Sequence, residues 1–164
     1  MPKQSTIKRA RRDKKEGKAP STQAGEFVRE VIDDIREGKH GARSTKQAIA
    51  IGLSMARRAG VKLPPPEKGK ASDKVRKQAK RELKRAEHGP VKPSPKRARA
   101  SRRALEREGH SAASSAALSR HTKQAAKKRT AKDRSAAAKK AARTKGPAKR
   151  SAAAKKAART RARG

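Results

Sequence analysis

The chain has 164 residues, 50 of them Lys or Arg and 14 Asp or Glu, for a formal net charge of +36, and it contains one Phe and no Trp, Tyr or Cys. The missing cysteines exclude a disulfide frame and a thiolate metal site. So few branched and aromatic side chains, at so high a charge, are expected to bury too little apolar area to offset the entropy of ordering. The expected fold is therefore mostly disordered with all-α elements: one small antiparallel helical hairpin plus isolated or fraying helices, and no sheet.

Residues 1–20 read as a basic arm in which Lys8, Arg9, Arg11, Arg12, Lys14 and Lys15 cluster. Such a run suits phosphate contact, or nuclear import in a eukaryote. No apolar run follows it, so neither a secretory signal nor a membrane span is expected.

Residues 21–62 carry the hairpin. Ser21 or Thr22 is placed to cap a helix over roughly Ala24 to Glu37, whose Phe27, Val31 and Ile35 recur every four residues beside Val28 and Ile32. Its other side is acidic, with Glu26, Glu30, Asp33, Asp34 and Glu37. These acids are expected to attract the protein's own basic arms and so form a weak clamp that DNA releases. After the turn 38–43, Ser44 and Gln47 have the spacing of a capping box. Ile49, Leu53 and Ala56 then fall on one helix face, Ile51 and Met55 on an adjoining one, and Arg57 and Arg58 in the last turn, where cations suit the helix dipole. Gly60 is placed to end the helix and Val61 to fold back on it. The expected core is Phe27, Val31, Ile35, Ile49 and Leu53. About 37 residues is below the size that usually folds alone. The hairpin is thus expected to dimerise, order on a partner or remain weakly stable. A helix-turn-helix reader is disfavoured, because the second helix lacks an outward row of base-reading side chains.

Residues 63–110 read as a basic linker with short helices. Pro64, Pro65 and Pro66 form a stiff segment. Asp73 is placed to cap a helix from Lys74 to about Glu87 with a thin stripe of Val75, Ala79 and Leu83. That helix reads as a rod able to lie along phosphates, fraying in the free protein. Pro93-Ser94-Pro95-Lys96-Arg97 is similar to a turn motif of linker-histone tails, although a plain linker is the favoured reading. Residues 97–108 can form another short helix.

Residues 111–164 read as a Lys/Ala-rich, low-complexity tail. RSAAAKKAART occurs at 134–144 and again at 150–160. Each copy is too short to hold a helix alone, so disorder in solution and partial helix on DNA are expected. On a helix, Lys139 and Arg143 are i, i+4 with Lys140 beside them, and Lys155, Lys156 and Arg159 repeat the group.

KQAIAIGLSMARRAG (46–60), with the acidic helix before it, resembles a family of short basic bacterial proteins of unknown function, some labelled plasmid stabilisation or DNA-binding protein. The resemblance spans roughly 24–62 and brings no catalytic residues with it. Met55 stands where that family leads one to expect a polar or acidic residue. The tail resembles the Lys- and Ala-rich C-terminal domain of linker histones. The family likeness implies a bacterial source, and with no cysteine and no export signal the expected location is the cytoplasm, at the nucleoid.

The four histidines are widely spaced and have no ligand companions, so no metal is expected. No glycine-rich phosphate loop follows a strand, and nothing in the composition builds a water-excluding pocket around a nucleophile. No enzyme activity, cofactor, small-molecule substrate or membrane partner is expected. One Phe, needed in the core, leaves no stacking platform for single strands. Binding is expected to run on charge, with double-stranded DNA as partner and sequence-nonspecific compaction as outcome. The phosphate contacts expected are Lys8, Arg9, Arg11, Arg12, Arg57, Arg58, Lys96, Arg97, Lys139, Lys140, Arg143, Lys155, Lys156, Arg159, Arg161 and Arg163. Alternatives are a structural RNA-associated protein, or a protein-binding hairpin that the basic tails localise.

Overall fold

Helices α1 (Gln4–Lys15), α2 (Pro20–Arg36), α3 (Thr45–Arg58), α4 (Asp73–Glu87) and α5 (Pro95–Glu106) are followed by a 3-10 turn at Ser111–Ala113, then α6 (Ser115–Lys127) and α7 (Ala131–Arg161). The computed structural model describes residues 2–89 and 94–162. Among these there is no strand, only an isolated bridge between Lys68 and Ala71. Helices take up 74% of the described residues, which overturns the expectation of a mostly disordered polymer. Packing divides the chain into one unit up to His121 and a second from Thr122.

The first unit is built on the α2–α3 hairpin. Pro20 opens α2, one residue before the expected cap, where its missing N–H costs nothing. Phe27, Val31 and Ile35 are at most 1% exposed, as the four-residue spacing predicts. Ser44 caps α3 by accepting the Gln47 N–H at 3.2 Å. Gln47 does not close the expected box; its Oε1 accepts the Arg43 N–H at 2.8 Å, one residue further back. At the other end Gly60 N–H reaches Arg57 O and Val61 N–H reaches Ala56 O, both at 3.0 Å, which is the expected left-handed close with Val61 buried.

The face of α3 that meets α2 differs from the expected one. Ala48, Gly52 and Ala56 are buried, with Thr45 at the start of the same stripe, whereas Ile49 and Leu53 are half-buried. Small residues let the two backbones approach, and the large side chains of α3 then flank the contact. Of the two large residues expected in the core, Leu53 packs against the buried cluster from its edge and Ile49 is half-buried.

The hairpin finds its cover inside its own chain. The arm 1–20 is helical over α1 and packs on α2, with Thr6, Ala10 and Asp13 buried. Ala10 joins Ala24, Phe27, Ala56, Val61 and Leu63 in one apolar cluster. Ala112 and Ala113 join Val31, Ile32, Ile35, Ala42 and Ala48 in a second. Backbone bonds fasten that later segment: Gly41 N–H donates to Leu105 O at 2.8 Å and Ala42 N–H to Gly109 O at 3.1 Å. Thr45 Oγ1 donates to Ala112 O at 2.7 Å, and Arg36 Nε to Ala113 O at 2.9 Å. A hairpin too small to stand alone is thereby packed against other segments of its own chain.

Helix α4 packs on α3, capped by Ser72 rather than Asp73. Ala79 and Glu82 are buried and Leu83 is half-buried, but Val75 is 50% exposed, so the thin stripe holds only in part. Glu82 is the polar core of this contact. Its Oε2 lies 3.7 Å from Arg57 Nη1, and its Oε1 accepts hydrogen bonds from Ser54 and Gln78. Both charged side chains are 8% exposed.

In the second unit, Thr130 and Asp133 form a capping box, each side chain accepting the other's backbone N–H at 3.1 Å. Alanine, lysine and arginine then carry the helix on propensity. Gly146 (φ +66°) breaks α7 into two limbs, and Pro147 opens the second. The repeat copies are not isolated segments but sit at the same offset inside longer limbs, which is why the expected disorder is not found.

Candidate nucleic-acid interface

Of the expected phosphate contacts, most are carried outward. Lys8, Arg11 and Arg12 are exposed on α1, although Arg12 lies 3.8 Å from Glu16. Arg58 is exposed at the end of α3. Pro95 begins α5 rather than interrupting the chain, and Lys96 and Arg97 are exposed in its first turn; Pro93 lies outside the described residues. Lys139, Lys140, Arg143, Lys155, Lys156, Arg159 and Arg161 are exposed on α7, and Arg163 lies outside the described residues. The two triplets, Lys139/Lys140/Arg143 and Lys155/Lys156/Arg159, fall at equal positions in the two limbs, so the sequence repeat is a repeat of one cationic face.

Two residues are placed otherwise. Arg57 is 7% exposed, held by Glu82 and by Leu63 O, 3.3 Å from its Nε. Arg9 is half-buried and donates from Nε to Glu26 at 2.5 Å.

The acidic side of α2 is largely engaged. Glu26 holds Arg9, and Asp34 holds Lys3 at 2.6 Å and Lys39 at 3.1 Å. Glu30, 4% exposed, accepts the Lys3 backbone N–H at 2.9 Å, and its Oε2 is buried without a hydrogen-bond partner. Burial pushes the Asp34 carboxyl up, but the bonds from Lys3 and Lys39 outweigh it, and its pKa lies below the usual value of 3.8. The bonds to Glu37 and Asp34 hold the Lys39 ammonium above its usual range. The expected attraction between this acidic face and the N-terminal cations is therefore realised, as a packed helix rather than a loose clamp.

Charge is distributed unevenly. Thirteen of the 14 acids precede residue 122, and the second unit has 17 Lys or Arg against Asp133 alone. The single Phe is 1% exposed and the chain has no Tyr or Trp, so no such ring is offered for a base to stack on. Among the described residues no three His, Asp or Glu side chains gather as a metal site, and no helix is long and apolar enough to cross a membrane.

No curated protein and no solved structure matches the chain. Residues 2–68, which span α1, α2, α3 and the proline segment, match the model of a family of unknown function, DUF6496, and over that stretch the chain is similar to that family.

Proposed function

We propose that this protein binds double-stranded DNA through its phosphates, without reading sequence, and compacts it, as a nucleoid-associated or plasmid-maintenance protein of a bacterial cytoplasm. The observation that carries this reading is the second unit, an almost acid-free helical segment whose repeated cationic face is exposed along its length. Lys and Arg that neutralise phosphates release condensed counterions, and that release drives binding. The buried Phe27 argues against single strands, which need stacking. Cations on both units let one chain touch two stretches of duplex, which is what compaction requires.

Titrating fluorescent duplexes of unrelated sequence into the full chain, with folded RNA as competitor, tests this. Equal affinity across sequences and weaker competition by RNA are expected. A strong preference for one sequence, or displacement by RNA at lower concentration than by duplex, contradicts the reading.

A further inference from the structure

The buried contact between α4 and α3 fixes which way the rest of α4 points. With Ala79 and Glu82 buried and Leu83 and Ala86 half-buried, the opposite side of the helix faces out. At 100° per residue, that side carries Lys77, Lys80 and Lys84 in one row and Lys74, Arg81 and Arg85 in a second beside it. All six are exposed, and none is paired with a carboxylate among the described residues. The acids of the helix do not interrupt the rows: Glu82 is inside, Asp73 at the N-terminal rim is held by Arg76 at 2.9 Å, and Glu87 closes the last turn.

We propose that this face is a preformed track for the phosphate backbone of duplex DNA, a contact additional to the tail and anchored to the folded core. It rests on the reading of the chain as a duplex-binding protein. The track from Lys74 to Arg85 is roughly 16 Å long. A helix with side chains, about 10–12 Å across, matches a major groove about 12 Å wide. A row of cations on each flank then meets one phosphate strand on each side, and no base-reading side chain lies between the rows. The face also lacks the large apolar side chains that a helix lying on a lipid surface needs. Glu82 is the positioning residue: it ties α4 to Arg57 and Ser54 and thereby keeps the rows outward.

The test is lysine acylation of the full-length protein, with and without a short mixed-sequence duplex at low salt, read by mass spectrometry. Lys74, Lys77, Lys80 and Lys84 are expected to react several-fold more slowly with duplex present. Unchanged reactivity at these four, with protection confined to the lysines of α7, overturns this inference while leaving duplex binding intact. No protection anywhere overturns both. Replacing the six cations by Gln, whose helix propensity is similar, is expected to flatten the plot of log affinity against log salt by about 0.9 for each phosphate no longer neutralised. An unchanged slope in a variant with native circular dichroism also overturns it.

Discussion

Gly52 of α3 lies directly against Val28 of α2: a β-carbon on Gly52 would stand 2.6 Å from Val28 Cα and 2.9 Å from its backbone nitrogen. The hairpin is therefore set by backbone approach as much as by its large side chains. Gly52→Ala forces the helices apart and is expected to cost about 1–3 kcal/mol, the range for overpacking. Gly25, on the exposed side of α2, has nothing within 4 Å of such a carbon, so Gly25→Ala is expected to stabilise by about 0.5–1 kcal/mol. Urea unfolding of the two variants measures both, and the signs should be opposite.

Glu82→Ala removes the carboxylate from a contact where both charged partners are 8% exposed, and leaves Arg57 inside without it. Breaking such a pair costs about 3 kcal/mol. Amide exchange should rise in α4 first, because the carboxylate of Glu82 is what joins α4 to Arg57 and Ser54 of α3. A variant with native protection in α4 contradicts that role.

Thr45→Val keeps the shape of the side chain but withdraws the hydrogen bond to Ala112 O. A buried carbonyl left unpaired costs about 1–3 kcal/mol. Exchange should accelerate at the Gly41 and Ala42 amides, which bond to Leu105 and Gly109, with α1 unaffected.

Acid should loosen the joint between α1 and α2. Asp34 has a lowered pKa in the fold, so its contribution is fully present above the ordinary value of 3.8 and is lost as pH falls through the folded value. Titration followed at the Lys3 ammonium, whose Nζ donates to Asp34 Oδ1, should show this loss, and Asp34→Asn should abolish that acid limb.

Much of the hairpin was legible from its residues. Ser44, Gly60 and Val61 act locally, through caps a few residues long, and Phe27, Val31 and Ile35 are large enough to show a period. The buried stripe Ala48, Gly52, Ala56 was not legible, because small residues give a weak hydropathy signal while Ile49 and Leu53 beside them give a strong one. The cover supplied by Ala10, Ala112 and Ala113 was hidden for the same reason and by distance: the Thr45–Ala112 bond joins residues 67 apart. A chain ending near Gly109 would lose this part of the core. Of the candidate interface, the tail triplets were legible because the repeat sits at one offset in each limb. The burial of Arg57 was not, because its partner Glu82 lies on another helix.

Sodium chloride dependence tests the central claim most directly. Duplex affinity of the full chain is measured across a salt series, and again with the cations of 122–162 replaced by Gln at constant length. The full chain should lose affinity steeply, with a slope of about −0.9 per phosphate neutralised, and the neutralised chain should show a much shallower slope. Tight binding that does not change with salt, or the same slope in both proteins, would contradict it.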